Sequence, residues 1–135
     1  MMLRVVISAM VIMTAAQATA QPTIDVDPAD LAIGSAKYVG KNIRIRSARC
    51  YFADVGDYRC TTPELVSVFT KSIEPEISRK WVEEHCDTIR KVERSQACKS
   101  SITFTYESAE QDKVDGFQTR TIILTPQINF LFPRR

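Results

Sequence analysis

The chain has 135 residues and a formal net charge of +2; 44% of its residues are hydrophobic and 25% are charged. These values fit one globular domain with a sizeable core. The nearly balanced charge argues against a dedicated nucleic-acid binder, because such domains are usually strongly basic. The one histidine, His85, excludes catalysis that needs a pair of histidines.

Residues 1–20 have the three parts of a secretory signal peptide. A positive start ends at Arg4, an apolar run extends from Val5 to Ala16, and Ala18-Thr19-Ala20 supplies the small residues that a signal peptidase reads. The apolar run is shorter than the ~20 residues that a membrane span needs, and no second apolar run follows. We therefore expect cleavage after Ala20 and a periplasmic or secreted protein without a membrane span.

Residues 21–35 are interpreted as an N-terminal leader that contains a short helix. Asp27 directly precedes Pro28, which is typical of a helix start because Asp caps free amides and Pro fits the first helical position. Gly34 is a suitable helix end. The remaining residues, 36–135, are predicted to form one folded domain.

A period of two begins after the leader and predicts a half-buried strand. Ile43 and Ile45 face one way, whereas Arg44 and Arg46 face the other. The alternation slips by one residue near Ala48, as it does at a β-bulge. After the slip, Ala48, Cys50 and Phe52 share the apolar face of the strand.

A turn signal at residues 54–57 predicts a hairpin centred on Val55, with a second strand over residues 58–62. In that hairpin Cys50 lies opposite Cys60, and directly opposed strand residues can reach disulfide distance. The pairing Cys50–Cys60 is therefore favoured by local geometry.

The chain has four cysteines, and an even number in an oxidising compartment predicts two disulfides. Cys98 follows the helix that contains Cys86 and can fold back onto it, which favours Cys86–Cys98 as the second disulfide. Four cysteines also allow other pairings. The spacings differ from the paired C-x2–4-C pattern of structural zinc sites, so disulfides are favoured over a metal site or free thiols.

Residues 65–73 are rich in β-branched and aromatic side chains and predict a third strand, after which Glu74-Pro75-Glu76 begins a helix. We expect Trp81 to be buried in this helix, with Ile77 and Ile89 beside it. The helix has one apolar stripe, which consists of Ile77, Trp81, Val82, Cys86 and Ile89.

Alternation over residues 102–106 predicts a fourth strand, and residues 119–124 predict a fifth. Residues 107–117 between them are interpreted as an acidic loop, and an extended segment follows from Ile128 to Phe132. The predicted order is therefore three strands, one helix and two strands. This is the order of the OB-fold, a five-stranded Greek-key barrel. The fold class expected is therefore mainly β, with one main helix.

The segment Tyr38-Val39-Gly40-Lys41-x-Ile43-x-Ile45 resembles the opening of many OB-fold domains, in which a Gly-Lys step leads into a curved first strand. With the signal peptide, the chain resembles small exported bacterial OB-fold proteins, including the periplasmic BOF group. The resemblance covers residues 36–132. It implies a binding or interaction module and carries over no catalytic residue.

Basic residues in and before the first two strands form the candidate binding face. OB-folds hold oligonucleotides and oligosaccharides on this part of the barrel, with cations and aromatic rings side by side. Guanidinium groups suit carboxylates and phosphates, so we expect an anionic ligand. A solvated polar face is the alternative, because outward strand positions need polar residues in any case. The candidate residues are Lys41, Arg44, Arg46, Arg49, Tyr51 and Arg59.

No catalytic, metal-binding or cofactor-binding motif is recognised. His85 and Cys86 are helix neighbours that point about 100° apart, so the histidine is not placed to activate the thiol. The carboxylates of residues 107–115 do not follow the alternating pattern of a calcium loop. We therefore expect no catalytic residue, no metal and no cofactor.

The working hypothesis is an exported, disulfide-stabilised, non-catalytic binding or interaction module. Its partner would be an anionic small molecule, a glycan or an envelope protein. One alternative is a small secreted hydrolase that uses carboxylates, and another is an extracytoplasmic OB-fold that binds single-stranded nucleic acid. The nearly balanced charge makes nucleic acid the less expected partner.

Overall fold

The computed structural model describes residues 21–87, 95–114, 116 and 118–131. The predicted signal peptide, Ile89, Phe117 and Phe132 lie outside these residues. The described part contains two α-helices, two short 3₁₀ turns and nine strands. In chain order the helices and strands are β1 (Ile24–Asp25), α1 (Pro28–Gly34), β2 (Asn42–Asp54), β3 (Asp57–Thr61), β4 (Val66–Thr70), β5 (Ile73–Glu74), α2 (Glu76–His85), β6 (Lys99–Thr105), β7 (Ser108–Val114), β8 (Gln118–Thr125) and β9 (Ile128–Leu131).

The strands form one sheet in the order β5-β9-β6-β2-β3-β4-β8-β7, and β1 pairs with β2 off this path. The long strand β2 is central: its first half pairs with β6 and β1, and its second half pairs with β3. A register shift between Ile45 and Ala48 confirms the predicted bulge. The pairs β1–β2, β4–β8 and β5–β9 are parallel, and the other pairs are antiparallel.

The sheet differs from a closed five-stranded barrel. The predicted strands correspond to β2, β3, β4, β6 and β8, and the C-terminal extension forms β9. The end strands β5 and β7 are not paired with each other in the described part of the chain. The structure therefore establishes a mainly β architecture with two helices.

The predicted acidic loop of residues 107–117 is largely a strand, β7. It pairs with β8 from Ser108 opposite Leu124 to Val114 opposite Gln118. Gly116 has a φ of +76°, a conformation that favours glycine and that lets the chain turn back between the two strands. The sequence did not indicate this strand because most of its side chains are polar and exposed.

The predicted start of α1 is confirmed, because the Asp27 carboxylate accepts a hydrogen bond from the Ala29 amide at 2.9 Å. Leu31 of α1 enters the core, where it is only 1% exposed. Alternation along the strands supplies most of the core. Its fully buried strand residues include Ile43, Ile45, Val66, Val68, Ile102 and Ile123.

Helix α2 is buried through only part of its predicted apolar stripe, at Val82 and Cys86. Val82 is buried, but Ile77 is 68% exposed and Trp81 is only partly buried. Ser78 is buried instead, because its hydroxyl donates a hydrogen bond to the Phe130 carbonyl at 3.0 Å. This hydrogen bond lets a polar residue take the buried position, so the expectation of a buried Trp81 beside Ile77 is wrong.

The structure contains both disulfides that the sequence favours. Cys50 and Cys60 lie directly opposite each other on β2 and β3, with their Cα atoms 4.0 Å apart. Cys86 and Cys98 join the end of α2 to the start of β6, with a Cα separation of 5.9 Å. Two disulfides in a small chain indicate an oxidising, extracytoplasmic compartment. Neither α1 nor α2 is long and apolar enough to cross a membrane.

Candidate functional site

A row of side chains crosses the outer face of the sheet over five strands. The strand register places each member directly opposite the next. Their strand neighbours Cys50, Cys60, Val68 and Ile123 are buried, so the strand alternation directs the row away from the core. We call this set the Arg59 row, and it consists of Tyr51, Arg59, Phe69, Leu124 and Ser108.

Arg59 is held in a fixed orientation. Its Nε and Nη2 atoms donate hydrogen bonds to the two carboxylate oxygens of Asp57 at 3.3 and 3.2 Å. The guanidinium carbon lies 4.5 Å from the centroid of the Phe69 ring. The hydrogen bond to Asp57 raises the pKa of Arg59 above its usual value, and Tyr51 contributes in the same direction. Arg59 is therefore a permanently charged group that is oriented by partners on both sides.

A hollow of about 500 Å³ lies against the Arg59 row, and we call it the Phe69 hollow. Phe69, Leu124 and Pro126 supply apolar walls. Its charged lining residues are Asp57, Lys71 and Glu107. An apolar hollow with a few convergent polar groups is the usual form of a small-molecule site.

A second hollow of about 420 Å³ lies beside the first and is more polar; we call it the amide hollow. Glu107, Thr125 and Pro126 line both hollows, so the two hollows are adjacent. The walls of the amide hollow come from β2, β6 and β9 and from the turn before β9. The side chains that distinguish it are Asn42, Thr103, Thr105, Gln127 and Asn129.

Arg44 and Arg46, predicted as ligand-binding residues, contact an acidic side chain of β1. Asp25 lies 3.5 Å from Arg44 and 2.6 Å from Arg46, measured between the paired nitrogen and oxygen atoms. The hydrogen bond from Arg46 lowers the pKa of Asp25. These two arginines therefore have a protein partner, and we call the three residues the Asp25 cluster.

The other predicted residues fall into two groups. Arg49 lies opposite Thr61 and next to Tyr51 on β2, so the structure brings Arg49, Tyr51 and Arg59 to one part of the outer face. Lys41 is exposed and precedes β2, at the opposite end of that strand from Tyr51. The structure therefore brings three of the six predicted residues together in one local group.

Sequence reasoning missed Phe69, Leu124 and Lys71 as residues of the site. A usable signal existed for the first two, because Phe69 alternates with the buried Val68 and Leu124 follows the buried Ile123. Apolar residues that point outward from a sheet are candidates for a contact surface. Their meeting with Arg59 depends on the β3–β4–β8 register and is not visible in the sequence.

His85 lies on α2 and stacks on Trp81, with ring centroids 3.9 Å apart. The Trp81 Nε1 atom donates a hydrogen bond to the Ala97 carbonyl at 3.3 Å. This hydrogen bond links α2 to the turn before β6, and His85 packs on the ring that donates it. Both aromatic side chains therefore have a structural role. The described residues contain no group of three or more His, Cys, Asp or Glu side chains that could hold a metal ion.

Comparisons with models of known protein families, with curated protein sequences and with solved structures find no match for this chain.

Proposed function

We propose that the protein is an exported, non-catalytic binding module of the OB-fold type, which holds its ligand on the Arg59 row and in the Phe69 hollow. The observation that carries the proposal is Arg59, which is fixed by Asp57 and by the Phe69 ring, two residues that line an open hollow. Export is supported by the two disulfides and by the signal-peptide pattern of residues 1–20.

The pairing of the strands supports the OB-fold assignment. A meander of β2, β3 and β4 is followed by a helix, β6 returns to β2, and β8 lies parallel to β4. OB-folds are partly open barrels that bind ligands on the face of the second and third strands, between two flanking loops. Arg59 and Phe69 lie on β3 and β4, the corresponding strands, and the hollow is flanked by Gly56 and Ser108.

The geometry favours a ligand with a ring or other flat apolar part and one anionic group. The flat part would rest on Phe69 and Leu124, and the anionic group would meet Arg59 or Lys71. A guanidinium has five N–H donors, and Asp57 takes two of them, so donors remain for a ligand. Because Asp57 and Glu107 are negative, we expect a modest affinity that falls as salt is added.

A carboxylate-dependent hydrolase is the less favoured function. Asp57 and Glu107 both line the Phe69 hollow, as a pair of catalytic carboxylates would. Both oxygens of Asp57, however, accept hydrogen bonds from Arg59, and this arrangement orients Arg59 rather than preparing Asp57 to donate a proton. A binding role for the hollow is therefore the better explanation.

The proposal is tested by NMR titration of the protein with phenylacetate, indole-3-acetate and galacturonate, which combine a ring with a carboxylate. We expect shifts of the amide signals of β3, β4 and β8. Arg59→Gln should weaken binding about tenfold, a loss typical of a charge-assisted hydrogen bond. Arg79→Gln, which removes a half-buried guanidinium on α2 that pairs with Glu76, is the matched control and should bind like the parent.

The proposal is overturned if none of the three compounds shifts signals of β3 or β4. It is also overturned if Arg59→Gln and Arg79→Gln bind equally well. Tighter binding of oligo-deoxythymidine than of the three compounds would favour the nucleic-acid alternative instead. A steep loss of affinity with salt would accompany that result.

A further inference from the structure

The amide hollow is lined by side chains that both donate and accept hydrogen bonds. Thr103 of β6 lies opposite Asn129 of β9, and Asn42 of β2 lies opposite Thr105 of β6. Apart from Glu107, the residues that line this hollow are uncharged. Such a lining does not select an ion, but it suits a ligand with many hydroxyl groups, because each hydroxyl is both donor and acceptor.

Hydrogen bonds within the protein orient three of the lining side chains in advance, those of Asn42, Thr105 and Thr125. The Thr105 hydroxyl donates to Asn42 Oδ1 at 2.6 Å, which leaves the two N–H donors of that amide directed elsewhere. The buried Thr125 hydroxyl lies 3.3 Å from the Thr105 carbonyl and 3.4 Å from the Gln127 carbonyl. It therefore ties the end of β8 to β6 and to the turn before β9. A wall fixed in this way loses little conformational entropy when a ligand binds.

An extended peptide is a poorer match for the amide hollow. Peptides that add to a sheet pair with an unpaired strand edge. The amide hollow instead lies over neighbouring strands whose main chains are already paired, β6 with β2 on one side and with β9 on the other. A ligand in this hollow would be recognised by hydrogen bonds from side chains, and such bonds suit the hydroxyl groups of a sugar.

Because the two hollows are adjacent, they suggest how many sugar rings the ligand has and which ring lies in which hollow. A single sugar would occupy one hollow, whereas a linear oligosaccharide can cross from one to the other past Glu107 and Pro126. The Phe69 hollow offers a ring platform beside Arg59 and Lys71, which suits a sugar that carries a carboxylate. The amide hollow suits a neutral sugar.

We propose that the ligand is an acidic oligosaccharide, with a uronic-acid ring in the Phe69 hollow and a neutral ring in the amide hollow. This inference rests on the proposed function and adds the chemical class of the ligand. Linking the two rings makes binding of the second ring intramolecular, so the oligosaccharide should bind more tightly than either sugar alone.

The test compares four probes by NMR titration of the same protein. They are glucuronic acid, a hyaluronan tetrasaccharide that alternates uronic acid with a neutral N-acetyl sugar, a polygalacturonate tetrasaccharide, and a neutral chitin tetrasaccharide. We expect glucuronic acid to shift signals of β3, β4 and β8 but not those of Thr103 or Asn129. The hyaluronan tetrasaccharide should also shift Thr103 and Asn129, and it should bind at least tenfold more tightly than glucuronic acid.

Variants locate the added contact. Asn129→Ala should weaken the hyaluronan tetrasaccharide about fivefold, and Gln96→Ala, which removes an exposed amide before β6, should not. The inference is overturned, and the proposed function stands, if glucuronic acid binds at β3 and β4 but no tetrasaccharide binds more tightly or shifts Asn129. Equal or tighter binding of the chitin tetrasaccharide overturns the acidic assignment. If no sugar probe shifts β3 or β4, the inference fails, and the proposed function fails with it only if phenylacetate, indole-3-acetate and galacturonate also leave these strands unshifted.

Discussion

The Arg59 row and the Asp25 cluster both present arginines on the outer face, but they differ in what fixes the guanidinium groups. Arg59 is paired through two hydrogen bonds with a residue of its own strand and lies over a ring from the next strand. Arg46 is paired with a residue of a two-residue strand, and its side chain is 69% exposed against 37% for Arg59. Strand alternation decides on which face of the sheet an arginine lies. The residues that contact the arginine decide whether its guanidinium is held in one orientation or forms only a surface ion pair.

This contrast has a physical basis. An exposed ion pair contributes little because water screens the charges and two long side chains must be ordered. A guanidinium that stacks on a ring and shares a bidentate contact is already ordered before a ligand arrives. Substitutions of residues beneath and beside the Arg59 row should therefore have large effects on stability and ligand affinity. Substitutions in the Asp25 cluster should have small effects.

The largest effect is expected from the disulfide beneath the Arg59 row. Cys50 and Cys60 join the two strands that carry Tyr51 and Arg59. The double variant Cys50→Ala, Cys60→Ala should lower the free energy of unfolding by about 2–3 kcal/mol, the chain-entropy value for a loop of this length. Urea denaturation measures this loss.

The comparison is sharpened by measuring phenylacetate affinity in the same double variant, in buffer where it is folded. We expect weaker binding, because β2 and β3 are no longer joined below the site. An unchanged affinity would mean that hydrogen bonding between the strands is enough to hold Arg59 in place.

The next largest effect concerns the inner face of β3. Tyr58, the neighbour of Arg59, is buried and donates a hydrogen bond to Glu83 of α2. Burial, with the hydrogen bond to Glu83, raises the pKa of Tyr58 from 10.0 to about 12. Since the folded-state pKa is the higher one, this contribution to stability is fully present below pH 10 and is lost as the pH rises towards 12.

A loss of about 2 kcal/mol is expected from this group across that interval, at roughly 1.4 kcal/mol per pKa unit. Urea unfolding at pH 8 and at pH 11.5 measures it. Tyr58→Phe should show a smaller drop between the two pH values, because it has no proton to lose. Parallel drops in the parent and in the variant would contradict the role of Tyr58.

A third effect separates two roles of Asp57. If Asp57 orients Arg59, Asp57→Asn should weaken binding of phenylacetate about fivefold, although the substitution removes a negative charge from the site. If Asp57 only competes with the ligand, the same substitution should strengthen binding. Calorimetric titration decides between these outcomes. Glu84→Gln, an exposed position on α2, controls for the change in net charge.

Much of the Arg59 side of the molecule could be predicted from the sequence because its contacts are local. The turn at Val55 sets the register of β2 and β3, and that register places Cys50 opposite Cys60 and Tyr51 opposite Arg59. The alternation within β4 also contained the signal for an outward Phe69. Short sequence separations make such contacts readable from the pattern alone.

The Asp25 side could not be predicted in the same way. Strand β1 has only two residues, which is too few to establish a period, and its pairing with β2 joins residues far apart in the chain. The burial of Ser78 in place of Ile77 on α2 was also missed, because it depends on a hydrogen bond to a distant carbonyl. Partners that are distant in the sequence leave no local signal.

The smallest effect is expected at the Asp25 cluster itself. The hydrogen bond from Arg46 lowers the pKa of Asp25 below 3.8, so its stabilising contribution is present above that pH and is lost as the pH falls through the lowered value. Asp25→Asn should therefore lower the melting temperature slightly at pH 7, and this difference should shrink at pH 3. Phenylacetate affinity should change less than twofold, in contrast with Asp57→Asn. A loss of affinity in Asp25→Asn equal to that in Asp57→Asn would show that Arg44 and Arg46 belong to the binding site, and the distinction between the two arginine groups would then be wrong.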